Sequence, residues 1–243
     1  MCIRDSNKSS YEWDFNSNKI YEYNYSLEET SEMYWEDEID KTNSENNGRI
    51  EVISSNNSTA DLLIFNEART NPLVLPHQRK FNKKAKPIAV QEIKSSGNIE
   101  ELFISANLIQ ANYFVLPKSD IQKGQKESIN IKIPIEIMGS NLLAKGIISI
   151  ENHSKINDSI ILFKSTLKIS ELRVPEKLDF TASIDITGGG QYLFNIVENR
   201  SESTNFKISK NISLYRINGK TGQKELVHQT KNDLKVSTKF DEK

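Results

Sequence analysis

The chain has 243 residues, 36% hydrophobic and 27% charged side chains, and a formal net charge of -1. That balance is too apolar for full disorder and too neutral for a protein held on nucleic acid by phosphate contacts, and the length suffices for a sizeable core without disulfides or metals. A single Cys excludes an internal disulfide, a thiolate zinc site and a CxxC redox pair, and no run approaches the ~18 apolar residues of a membrane-spanning helix.

Residues 1–10 read as an artefactual or disordered leader. Met1, Cys2, Ile3, Arg4, Asp5 and Ser6 resemble a translated sequencing adapter, and no apolar stretch precedes Cys2 to make it a lipobox cysteine. Residues 11–243 read as one β-rich domain, since no linker or composition break divides them. Tyr11, Trp13 and Phe15 lead into a turn at 16–19, and Tyr21, Tyr23 and Tyr25 follow at period 2. Residues 28–40 are acidic, with strand and helix both open, and 42–48 form a polar turn. Residues 49–54 and 60–66 pair as a hairpin. A basic, Pro-bearing loop spans 71–86, with Arg79, Lys80, Lys83, Lys84 and Lys86. Residues 88–94 and 99–104 flank a turn, and 106–113 suit a short helix.

The strongest period-2 signal is Ile129, Ile131, Ile133, Ile135 and Ile137. It predicts a strand with one apolar face, and Pro134, which lacks an N–H, places that strand at an edge or puts a bulge there. Strands at 142–150 and 159–170 continue the meander, with a polar turn at 153–158. Leu178, Phe180, Ala182, Ile184 and Ile186 alternate until Gly188, Gly189 and Gly190 interrupt the strand, which Tyr192, Phe194 and Ile196 resume. A turn at 199–203, a strand at 206–216, a type I′ turn at Asn218 and Gly219, and strands at 225–229 and 235–240 complete the chain. The fold expected is all-β with minor helix: a large curved antiparallel sheet or half-barrel of meander topology, carrying one or two short helices.

Catalytic patterns are absent. His77, His153 and His228 lack metal-ligand spacing, and no GxSxG elbow occurs. The glycine triplet lacks GxGxxG spacing, and the acidic stretch from Glu28 to Asp40 lacks the EF-hand pattern. No catalytic residue, cofactor or metal is expected. The aromatic set has two readings: cross-strand pairs that pin a hairpin, or one wall of an apolar pocket. The second makes Trp13, Phe15, Tyr21 and Tyr23 candidate ligand-binding residues.

The spacing of Tyr11, Trp13, Phe15, Tyr21, Tyr23 and Tyr25, the segment Phe114-Val115-Leu116-Pro117 before Gly124, and the glycine triplet before Tyr192-Leu193-Phe194-Asn195 together resemble a family of uncharacterised, exported, commonly lipid-anchored bacterial envelope proteins. The resemblance spans most of residues 11–217. It implies a periplasmic or envelope location, a signal peptide and lipid anchor missing from this stretch, and a curved sheet similar to LolA-like lipoprotein carriers. The expected function is therefore non-enzymatic binding of an apolar or lipid-like molecule. An envelope scaffold is the alternative, and a hydrolase with an unrecognised site is a third.

Overall fold

The structure, a computed structural model, describes residues 11–15, 20–35, 38–66, 89–94, 115–137, 140–175, 178, 180–219 and 221–241. Ten strands run through them: β1 Ile20–Trp35, β2 Glu38–Asn56, β3 Thr59–Asn66, β4 Ala89–Lys94, β5 Lys126–Ile137, β6 Ser140–Lys155, β7 Ile160–Arg173, β8 Phe180–Asn195, β9 Arg200–Ile217 and β10 Lys224–Phe240. All ten join in one antiparallel sheet of order β4-β3-β2-β1-β10-β9-β8-β7-β6-β5. The sheet does not close. Two meanders meet where the first strand pairs with the last, from Tyr23 opposite Phe240 to Trp35 opposite His228. The strand with Pro134 lies at an edge of the sheet, the position where a residue without an N–H is tolerated.

Alternation assigns the faces. Ile129, Ile131, Ile133, Ile135 and Ile137 of β5 are buried, as are Ile148 and Ile150 of β6, Phe163, Leu167 and Ile169 of β7, and Phe206 and Ile208 of β9. These residues share the inner face, whose burial is the main driving force; each fully buried aliphatic side chain contributes about 1.5–3 kcal/mol. Two irregular segments lie on that face. Residues 11–15 place Tyr11 edge-on to Phe163 at 5.2 Å and Trp13 edge-on to Phe194 at 5.8 Å. In the other, Val115 and Leu116 are buried, and the Tyr192 hydroxyl donates to Val115 O at 2.9 Å. Asn152 Nδ2 donates to Ile121 O at 2.9 Å, and the turn that follows uses Gly124 at φ 81° to enter β5.

The strands run longer than the sequence reading predicts. Residues 28–35 and 38–40 are strand, not helix, and the polar turn expected at 42–48 lies inside β2. Residues 28–35 and 38–47 contain no buried residue, so the ladder bonds of β1 to β10 and of β2 to β1, rather than core burial, hold this part of the hairpin extended. The glycine triplet also lies within one continuous strand, β8, instead of interrupting it. The turn expected at 153–158 starts after Lys155, and the one expected at 199–203 ends at Asn199, whose φ is 51°. Residues 225–229 and 235–240 belong to the single strand β10. The β9–β10 loop is wider than a type I′ turn: Asn218 N–H bonds Gln223 O at 2.9 Å, and the positive φ falls on Gly222 at 68° rather than on Asn218 and Gly219. The expected leader, the basic loop at 71–86, the strand at 99–104 and the helix at 106–113 lie outside the described residues.

Candidate binding face

The four candidate ligand-binding residues come together on the inner face, inside the core. Trp13 is 3% exposed and Phe15 1%, and their rings stack at 6.1 Å. Tyr21 donates to Asp14 O at 2.6 Å, and Tyr23 lies edge-on to Phe240 at 5.5 Å. Burial holds the Tyr23 and Tyr192 hydroxyls well above the ordinary phenol range and pushes Tyr25 up to about 12. These contacts are neither a hairpin of paired aromatics nor an open wall. Residues 11–15 form no strand; the Tyr11 ring packs on β7, the Trp13 ring on β8, and the Phe15 ring on Trp13.

Further along the inner face the lining turns polar. Lys210 of β9 lies opposite Asn232 of β10, whose Nδ2 donates to Glu29 Oε1 at 2.8 Å. Burial lowers the Lys210 pKa, and the Glu29 carboxylate offsets part of that shift. The two described histidines are held locally: His153 Nδ1 is 3.1 Å from Glu151 Oε1, and His228 Nε2 is 2.9 Å from Thr230 Oγ1. Among the described residues no group of three metal-capable side chains converges.

The outer face holds a depression of about 1190 Å³ over β2, β1, β10, β9 and β8. Register aligns its floor. Asn47 stands opposite Ser26, Ser26 opposite Ser237, Ser237 opposite Asn205, and Asn205 opposite Gln191. A second row, one step along the strands, runs Asn24, Lys239, Ser203 and Leu193. Smaller hollows of about 470 and 430 Å³ continue the trough past Glu28, Lys235, Asp233, Lys207 and Ser209.

Some polar side chains of the outer face bind one another. Lys235 pairs with Glu28 at 2.6 Å and Lys41 with Glu32 at 2.6 Å, while Gln229 Nε2 donates to Asn211 and Ser213 at 3.0 Å each. Asn24, Ser26, Gln191, Ser203, Asn205 and Ser237 make no side-chain hydrogen bond within the described residues, and Asn47 makes a long one to Glu45 at 3.4 Å. A row of uncharged donors and acceptors is thus left facing solvent.

The sequence reading missed this row. Its residues are ordinary polar alternates of five separate strands, and the pairing of β1 with β10 that joins them links positions about 200 residues apart, a separation no local pattern reports.

Fold and faces together define an open, ten-stranded antiparallel β-meander with an aromatic core and a polar outer trough. No family model matches the chain, and no curated protein sequence is detectably similar to it.

Proposed function

We propose that this is a non-catalytic binding protein of the bacterial envelope, whose sheet is a scaffold presenting its outer face to a partner. The observation that carries the reading is the aligned row Asn47, Ser26, Ser237, Asn205 and Gln191 on the floor of the depression, where only Asn47 makes a side-chain hydrogen bond within the described residues, a long one to Glu45. A site that recognises a polar partner needs convergent hydrogen-bonding groups not already satisfied within the protein. Burial of Trp13, Phe15, Tyr21 and Tyr23 against the chain's own residues favours the scaffold over a carrier of acyl chains. The envelope location rests on the resemblance set out above.

The test is sedimentation of purified protein with a crude bacterial envelope fraction. The wild type is expected to co-sediment. The double variant Asn205→Arg, Ser237→Arg, which puts two bulky cations into the neutral row, is expected to stay in the supernatant with an unchanged far-UV spectrum. A fluorescent fatty acid is expected to remain unbound. Equal sedimentation of both proteins, or one-to-one uptake of the fatty acid, would overturn the reading.

A further inference from the structure

Resting on that reading, we infer that the outer-face row is a subsite for an extended, uncharged glycan strand lying across the β-strands.

The lining selects the chemistry. Asn and Gln side chains each offer both a donor and an acceptor, and Ser offers a rotatable hydroxyl. This matches a chain of sugar hydroxyls, each of which donates and accepts. A phosphate polymer or acidic polysaccharide requires a cationic floor, and the floor here has Lys239 as its one cation, with Glu202 and Asp241 also lining the depression. A peptide is a poorer fit: extended peptides add to a sheet edge through backbone bonds or seat apolar side chains in pockets, and this row is central and small-residued.

The geometry selects an extended ligand. Neighbouring strands are ~4.8 Å apart, so five consecutive positions, Asn47 to Gln191, place hydrogen-bonding groups at that interval over about 19 Å. The interval is close to the rise of a β-linked sugar in an extended chain, so successive residues meet equivalent groups. Ser26 and Ser237 are short and leave space for a ring above the middle of the row. Leu193, in the second row, supplies an apolar contact for the C–H face of a sugar. Strands on both sides fix the row through their ladders, which limits the ordering cost of binding.

The test uses the whole chain and titration calorimetry with β-1,4-linked oligomers of glucose and of N-acetylglucosamine, from dimer to hexamer. At least one series is expected to bind, with affinity rising tenfold or more from dimer to pentamer, then levelling, and with little dependence on salt. Asn205→Ala with Gln191→Ala is expected to weaken the pentamer at least tenfold with an unchanged far-UV spectrum, and Asn205→Gln to retain most of the affinity. Polygalacturonate, the anionic control, is expected not to bind. Absence of binding by both neutral series, or salt-sensitive binding of polygalacturonate alone, overturns the glycan assignment. If envelope sedimentation is still abolished by Asn205→Arg, Ser237→Arg in that case, the scaffold reading stands with a different partner. If sedimentation is also unaffected, both fail.

Discussion

Phe163→Ala is expected to destabilise the protein by about 3–5 kcal/mol, within the range for removing a fully buried ring. Phe163 is 0% exposed. One face of its ring stacks on Tyr192 at 5.1 Å and 24°, and Tyr11 meets it edge-on at 5.2 Å and 85°. Those two tyrosines hold the covering segments through main-chain oxygens: Tyr192 donates to Val115 O at 2.9 Å, and Tyr11 donates to Ile121 O at 3.4 Å. Removing the ring therefore leaves a cavity at the one place where β7, β8 and both irregular segments converge. Lys164, next along β7 and exposed, is expected to tolerate Ala within about 0.5 kcal/mol. Urea unfolding followed by far-UV circular dichroism measures both. A cost for Phe163→Ala close to that for Lys164→Ala would mean that the inner face is not packed as described.

The second large effect is expected at Gly190. A methyl group there would run into Asn205 O of the neighbouring strand and into the Phe206 ring, whose Cγ would lie 2.7 Å away. The obstacle is backbone and a fully buried ring, neither of which can yield, so Gly190→Ala is expected to cost about 3 kcal/mol, at the upper end of the usual overpacking penalty. The adjacent glycines are internal controls. At Gly188 the added carbon would sit 3.1 Å from Lys207 O and 3.2 Å from an Ile208 carbon, which predicts an intermediate loss. At Gly189, on the outer face, the nearest atom is Ser165 O at 3.5 Å, an ordinary contact. There Ala removes the entropic penalty of glycine in a strand, and stability is expected to stay level or rise by about 0.5 kcal/mol. Unfolding midpoints should rank Gly189→Ala above Gly188→Ala and Gly188→Ala above Gly190→Ala. The reverse order would contradict the facing of β8.

Those glycines mark where local reading of the sequence stopped short. Three in succession look like a break, because glycine weakens a strand and favours turns. Here they lie opposite Ile208, Lys207 and Phe206 of β9, and Gly190 gives room for the Phe206 ring that lies over it. The partner strand supplies the reason, and the partner cannot be seen from residues 188–190 alone. The polar run at 42–48 misleads in the same way: its strand conformation comes from ladder bonds to β1, a tertiary cause. By contrast, the isoleucines of β5 were legible because burial on one face writes period 2 directly into the sequence, and Pro134 narrowed that strand to an edge or a bulge, of which the structure has the edge. The aromatic cluster was legible as a cluster but not in its placement. Trp13 and Phe15 look like a strand paired with Tyr21 and Tyr23, whereas their contacts are with Phe194 and with each other. The outer-face row was the least legible feature, since it exists only once five strands are in register.

The central claim is that the aromatic set is structural core and that binding belongs to the opposite face. The chain has two tryptophans, Trp13 at 3% exposure and Trp35 at 58%, so Trp35→Phe leaves Trp13 as the sole indole reporter. Quenching of its fluorescence by iodide and acrylamide, with and without the fluorescent fatty acid, tests the claim most directly. The account predicts blue-shifted emission, almost no quenching by iodide, weak quenching by acrylamide, and no change when the fatty acid is added. Ready quenching that the fatty acid then suppresses would place Trp13 in an open apolar groove and contradict it.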